Sequence, residues 1–143
     1  MSVVVISTGG TIASTKESGG GASPELTGED LVANVHGLSK NVELVTYDFS
    51  NIPSPHFSVQ QMHKLSELVV EYDHDNTVDG IVITQGTDTL EEVAYFVDLC
   101  YDGETPIVFT GGMRNPSLAS PDGPANLLTA VRTATSAVSH LNC

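Results

Sequence analysis

The 143-residue chain contains few basic residues, with 5 Lys and Arg against 18 Asp and Glu, and a formal net charge of -13. Nucleic acid is bound through Lys and Arg side chains that replace phosphate counterions, so this balance excludes nucleic acid as a partner. It also argues against anionic membrane surfaces. We interpret the acidic excess as the strongly solvated surface of an acidic protein.

Cysteines and long apolar runs are also scarce. The two cysteines, Cys100 and Cys143, form no disulfide framework. No stretch approaches the ~20 apolar residues of a membrane span, and residues 1–6 have no basic region typical of a signal peptide. We therefore expect a cytoplasmic protein that does not bind a membrane.

Motifs for metals and nucleotides are absent from the sequence. There is no His-Glu-x-x-His and no cysteine pair at zinc spacing, which predicts that no metal is bound. Neither G-x-G-x-x-G nor G-x-x-x-x-G-K-[ST] occurs, although glycines do follow predicted strands. We predict no cofactor.

Short apolar runs alternate with amphipathic stretches along the chain. The predicted strands are residues 3–7, 42–47, 80–84 and 107–110, and the predicted helices begin after Thr27, after Ser58, at Leu90 and at Pro124. Alternation of this kind favours an α/β fold with an open parallel sheet. We predict a flavodoxin-like three-layer α/β/α domain of about four βα units, with strand order 2-1-3-4.

Two loops follow strands that this order makes neighbours, and ligands bind at that edge of such sheets. The first is Thr8-Gly9-Gly10-Thr11, whose glycines allow close approach of the backbone to a ligand. The second is Gly86-Thr87-Asp88-Thr89. Taken alone, each is more simply explained as a tight turn or a helix cap. Because both fall at the predicted ligand edge, we favour a functional site there.

Three longer stretches contain or follow these loops. They are Val5-Ile6-Ser7-Thr8-Gly9-Gly10-Thr11-Ile12-Ala13, then Ile83-Thr84-Gln85-Gly86-Thr87-Asp88-Thr89-Leu90-Glu91-Glu92, then Pro106-Ile107-Val108-Phe109-Thr110-Gly111-Gly112-Met113-Arg114 with Asp122-Gly123-Pro124-Ala125-Asn126-Leu127. In this order they resemble the signatures of the bacterial-type L-asparaginase (asparaginase/glutaminase) family, in its amino-terminal catalytic part. The resemblance covers nearly the whole chain.

The resemblance implies an amidohydrolase that converts L-asparagine, and by extension L-glutamine, to the acid and ammonia. Thr11 would be the nucleophile that forms an acyl-enzyme, and Thr87 with Asp88 the second catalytic group. Ser54 would bind the substrate α-carboxylate, although a serine between two prolines is equally consistent with a turn. Gly10 and Gly86 would contact the substrate through their backbones, and Arg114 is an outside candidate for a carboxylate.

The sequence departs from the family pattern in three ways. Residues 12–46 contain no tyrosine where the family has one in a mobile loop, although glycines at 19–21 still predict a flexible loop. All three lysines precede Thr87, whereas the family uses a later one. Family members also continue into a smaller carboxy-terminal domain. The resemblance thus implies that residues 1–143 are a partial, amino-terminal-type domain.

These departures leave alternatives open. The chain is either an active asparaginase-type enzyme or a catalytically impaired fragment that binds aspartate-like ligands or a homologous subunit. A subunit of a tRNA-dependent amidotransferase is a third, weaker alternative. A sheet that ends after its fourth strand exposes an edge, so we expect a homo-oligomer or a less stable fold.

Overall fold

The computed structural model describes residues 1–10, 14–16, 22–24, 27–37 and 41–137, with only the backbone of 14–16 and 22–24. The strands are β1 (Ser2–Ser7), β2 (Ser14–Lys16), β3 (Ala22–Pro24), β4 (Glu43–Asp48), β5 (Gly80–Thr84) and β6 (Ile107–Thr110). The helices are α1 (Gly28–Ala33), α2 (Val59–Asp73), α3 (Leu90–Cys100) and α4 (Gly123–Ala134), with a 3₁₀ turn at Ser54–His56.

Four of the strands form one sheet in the order β4-β1-β5-β6, and all its pairs are parallel. This confirms the predicted α/β class, the open parallel sheet and the strand order 2-1-3-4. In the register, Ser7 lies opposite both Asp48 and Thr84, and Thr84 lies opposite Thr110. The last residues of all four strands are therefore level, so the loops that follow them leave the sheet at one height.

Two apolar cores lie on opposite faces of the sheet, because successive strand side chains point to opposite sides. On one face, Val3, Val5 and Val82 pack against α1 and α4. On the other, side chains of β1 and β5 pack against α2 and α3; they include Val4, Ile6, Ile81, Ile83, Leu65, Val69, Val93 and Val97. β1 and β5 are thus covered on both faces, and their position is fixed from both sides.

Capping side chains fix the starts of two helices. Thr27 caps α1 and forms a capping box with Asp30, and Ser58 forms one with Gln61 at the start of α2. Partners of this kind satisfy backbone N–H groups that the first turn leaves free. The spacing of Leu31, Val32 and Val35 predicts an apolar stripe on this helix, but α1 ends at Ala33, two residues before Val35.

Two features differ from or extend the sequence prediction. Strands β2 and β3 pair antiparallel within a stretch that was predicted only as a flexible loop. Strand β6 is at one edge of the sheet, and a groove of about 930 Å³ lies beside it and α3. The apolar spacing that begins at Pro124 also predicts Val138 in the fourth helix, and this residue lies outside the described residues. No helix in the described part of the chain is long and apolar enough to cross a membrane.

Candidate active site

The two predicted ligand-binding loops lie side by side at the carboxyl edge of the sheet. They continue β1 and β5, which are direct neighbours. The pairing extends one residue past the strands, because the backbone N–H of Thr8 donates to the carbonyl of Thr84 at 3.1 Å. The convergence that was expected from the strand order is therefore present in the structure.

Glycines allow these loops to touch through their backbones. Gly9 and Gly10 have φ values of 104° and 86°, a region that side chains rarely adopt. A Cβ atom built on Gly10 would lie 2.5 Å from the Cα of Gly86. A Cβ atom built on Gly86 would lie 2.4 Å from the Oγ of Ser54. Gly10, Gly86 and Ser54 thus meet at one point, and larger side chains at either glycine would separate the loops.

Ser54 and Asp88 form a hydrogen-bonded pair at this point. The Ser54 hydroxyl donates to a carboxylate oxygen of Asp88 at 3.3 Å. Ser54 is 5% exposed, whereas Asp88 is exposed at the mouth of the site. Ser54 begins the 3₁₀ turn after Pro53, so the turn interpretation of this serine is also correct locally. The turn holds its hydroxyl against the loop that carries Asp88.

Thr87 lies in the same loop, half-buried, and its methyl group faces the turn at Gly111. Within the described part of the chain, nothing engages the Thr87 hydroxyl in a hydrogen bond. This hydroxyl is therefore available to a ligand. Thr11, the predicted nucleophile, lies outside the described residues, although its chain neighbour Gly10 is described.

A buried glutamine connects the loops, and the sequence prediction did not include it. Gln85 follows β5 directly and is 1% exposed. Its Oε1 accepts from the Thr8 hydroxyl, and its Nε2 donates to Thr89 Oγ1 at 3.0 Å. Thr89 Oγ1 in turn donates to the carbonyl of Ser54 at 3.2 Å. The sequence signal was a polar residue immediately after a fully buried strand.

Loops from the outer strands support the two central ones. The Ser50 hydroxyl donates to the carbonyl of Thr8 at 2.7 Å. On the other side, the Gln85 N–H donates to the Thr110 carbonyl at 2.9 Å, and Asn126 donates to the carbonyl of Gly111 at 2.9 Å. The site is consequently held from both sides along the sheet edge.

Arg114 does not reach the site. Its guanidinium donates to the carbonyls of Ala119 and Ser120 within its own loop, at 2.6 and 2.9 Å. Asp122 accepts from the N–H groups of Met113 and Arg114. Desolvation acts to raise the pKa of Asp122, but these hydrogen bonds outweigh it and the pKa is lowered. The interpretation of Arg114 as a carboxylate ligand is thus replaced by an ordering contact in its loop.

The arrangement suits a small zwitterionic ligand. It brings the Asp88 carboxylate, the Ser54 hydroxyl and the Gly10 and Gly86 backbones to one point, and Thr87 lies in the same loop as Asp88. Across the described residues, no three His, Cys, Asp or Glu side chains come together to hold a metal ion. The groups that line the site are hydroxyls, a carboxylate and backbone atoms.

Comparison with known proteins identifies the family to which this chain belongs. The family model described as Asparaginase, N-terminal, matches residues 2–142. The chain belongs to this family, which confirms the resemblance inferred from the three signatures.

Individual relatives agree with this assignment. An L-asparaginase of Bacillus licheniformis is 42% identical over 135 residues, covering 94% of this chain and 42% of the relative. A glutaminase-asparaginase of Pseudomonas fluorescens is 38% identical, covering 92% and 38%. A structure described as a probable cytoplasmic L-asparaginase from Campylobacter jejuni superposes with a TM-score of 0.89 at 30% identity, covering 96% and 43%. The chain thus spans about two fifths of the length of these relatives.

Proposed function

We propose that the site at the carboxyl edge is an asparaginase-type active site that hydrolyses L-asparagine to L-aspartate and ammonia. The observation that carries the proposal is the Ser54–Asp88 pair, at 3.3 Å, where the Gly10 and Gly86 backbones meet. Membership of the asparaginase family supports the same reaction. A relative named glutaminase-asparaginase extends the proposed substrates to L-glutamine.

The charges of the site match those of an amino-acid substrate. Asp88 is a carboxylate at the mouth of the site and would bind the α-ammonium group. The buried Ser54 hydroxyl, which donates to Asp88 in the structure, would turn its one proton to the α-carboxylate when the ammonium group occupies Asp88. With both ends of the amino acid held, the side-chain amide would point toward the threonine loops. This is the positioning that converts binding into reaction.

The proposed chemistry uses two threonines. The Thr11 hydroxyl oxygen attacks the side-chain amide carbon, the C–N bond breaks, and the hydroxyl proton leaves with the nitrogen as ammonia. Backbone N–H groups of the glycine loops are suited to stabilise the negative oxygen of the intermediate. Water then adds to the acyl-enzyme and breaks its ester bond, which releases L-aspartate and returns a proton to Thr11. Thr87 and Asp88 form the second catalytic group.

The test is ammonia release from L-asparagine by the purified chain and its variants. Thr11→Ala and Thr87→Ala should each lower turnover at least a hundredfold, because each removes a reacting hydroxyl. Thr129→Ala is the matched control, since Thr129 is exposed on α4 and donates only to the Ala125 carbonyl. Unchanged turnover in the Thr11 variant would remove the nucleophile assignment.

A second candidate is a catalytically impaired domain that binds aspartate-like ligands or a homologous subunit. The observation that favours it is the length of the chain, which covers only about 40% of the relatives it matches. Calorimetry with L-aspartate separates the two candidates. Binding of L-aspartate without ammonia release favours the second candidate, whereas turnover favours the first. A folded protein that shows neither binding nor turnover would contradict both activities.

We further propose that the protein forms homo-oligomers in the cytoplasm. Strand β6 lies at the edge of the sheet, and Tyr95 and Leu99 on the adjacent helix α3 are 64% and 68% exposed. Edge strands and exposed apolar side chains are surfaces that association covers. The cytoplasmic location rests on the Campylobacter jejuni neighbour. Sedimentation as a monomer at micromolar concentration, or recovery from a membrane or secreted fraction, would contradict the respective proposal.

A further inference from the structure

Gln85 is a polar side chain in a position where burial demands hydrogen-bond partners. It is 1% exposed and lies between the β1 and β6 ends of the sheet. An unpaired amide at such a depth is strongly unfavourable. Both ends of the side chain are engaged, one by Thr8 and the other by Thr89. These two partners belong to different loops, so the glutamine links them.

The direction of each hydrogen bond follows from the available protons. Thr89 has one hydroxyl proton, which it donates to the Ser54 carbonyl at 3.2 Å. It must therefore accept from Gln85 Nε2, at 3.0 Å. This places Oε1 toward Thr8, whose one hydroxyl proton is shared between Oε1 and the carbonyl of Thr84 at 2.8 Å. The chain of bonds runs from the β1 loop through Gln85 and Thr89 to the backbone of Ser54.

We propose that Gln85 is a positioning residue that sets the separation of the β1 loop from the Ser54–Asp88 pair. The inference rests on the proposed function of that pair. Gln85 is buried, so it acts through Thr89 on the residue that would hold the α-carboxylate. Its backbone adds to the same task, since its N–H bonds to Thr110 and its carbonyl abuts Gly111.

The link from Gln85 through Thr89 to Ser54 should affect ligand affinity as well as the stability of the fold. Ser54 is packed against Gly86, where an added Cβ would overlap its side chain. The hydrogen bond from the Thr89 hydroxyl holds the backbone of Ser54 against the β5 loop. In this position the Ser54 hydroxyl lies 3.3 Å from Asp88. Loss of the link would let Ser54 move away from Asp88. Both groups would then fit the same amino acid less well.

The experiment measures L-aspartate affinity of the purified chain by calorimetry. Gln85→Met keeps the length of the side chain but removes both hydrogen-bonding groups, and Thr89→Val removes the hydroxyl at constant shape. Each should weaken binding about tenfold, the effect of losing about one hydrogen bond. Because the two residues act in one chain of bonds, the double variant should also be about tenfold weaker, not a hundredfold.

Controls separate positioning from general damage. Thr89→Ser retains the hydroxyl and should bind within about twofold of the unmodified chain, and Thr129→Val, on the exposed face of α4, should bind unchanged. Folded Gln85→Met with unaltered affinity, or an additive hundredfold loss in the double variant, would overturn the inference. If Gln85→Met does not fold, equal affinity of Thr89→Val and Thr89→Ser overturns it. An unmodified folded chain that binds no L-aspartate defeats the binding site itself, which is a separate result.

Discussion

Replacing Gly10 with alanine tests the contact on which the whole site depends. Gly10 has φ of 86°, and its Cβ position lies 2.5 Å from the Cα and 2.7 Å from the N of Gly86. Both atoms belong to backbone, so no side-chain rotation can relieve the overlap. Alanine at position 10 must therefore push the β1 loop away from the β5 loop.

The expected loss of unfolding free energy has two parts, and a control variant separates them. A left-handed conformation costs an alanine about 1–2 kcal/mol. Overlap with fixed atoms adds about 1–3 kcal/mol, so Gly10→Ala should lose about 2–5 kcal/mol of unfolding free energy. Gly37→Ala is the matched control. Gly37 has φ of 92°, but its Cβ position meets no atom closer than 3.9 Å.

The assay is equilibrium unfolding in urea, followed by circular dichroism. With a slope of about 2 kcal/mol per molar urea, Gly10→Ala should lower the midpoint by roughly 1–2.5 M, and Gly37→Ala by at most about 1 M. Gly10→Ala should also lose L-aspartate binding, whereas Gly37→Ala should retain it. Equal midpoints for the two variants would mean that the loops are not in contact at Gly10, and the reasoning about the site would fail.

Two further predictions concern parts of the fold away from the site. Partial burial acts to raise the pKa of Asp73, but hydrogen bonds from Tyr101 and Thr105 outweigh it and lower the pKa. Because its pKa is lower in the folded state, the ionised Asp73 carboxylate stabilises the fold at pH values above the unfolded pKa of about 3.9. This stabilisation is lost as the pH falls below that value and through the folded pKa. The stability advantage over Asp73→Asn, about 1 kcal/mol at neutral pH, should therefore shrink toward pH 3 in urea titrations; a constant difference would contradict this. Ser58→Ala removes the cap of α2 and should cost about 1 kcal/mol. Thermal unfolding measures it, with Ser58→Thr, which keeps a capping hydroxyl, as the control, and equal melting temperatures for the two variants would exclude a stabilising cap.

The strand order and the convergence of the two loops were predictable because they depend on backbone rules. Four short apolar runs separated by helical patterns favour parallel pairing, and ligands bind where neighbouring strands end. Gly80–Thr84 and Ile107–Thr110 have the predicted bounds because glycine, proline or polar residues flank each run. The glycine pair at positions 9 and 10 was predicted to let the backbone approach a ligand closely; in the structure both glycines have positive φ values and lie against the backbone of neighbouring loops.

Side-chain partners across loops were not predictable in the same way. Thr89 stands before a helix, where threonine is usually a cap, but it makes no capping hydrogen bond and bonds to Ser54 and Gln85 instead. Arg114 follows two glycines near the site, yet its guanidinium turns to loop carbonyls at 119 and 120. In each case a contact between residues distant in sequence, or a loop conformation, decides the outcome. Periodicity carries no information about either.

The register of the sheet ties the apolar strands to the polar site. Ser7, Thr84 and Thr110 occupy the last position of their strands, and they lie opposite one another with Asp48 completing the row. Side chains therefore change from apolar to polar at the same level on β1, β5 and β6. A slip of β5 by one residue would turn Thr84 to the opposite face. It would also displace Gly86 from Gly10 by about 3.3 Å, which is more than the Gly10–Gly86 contact tolerates. Apolar residues such as Val82 and Ile83, which select the register by their burial, thus position the two loops of the proposed site.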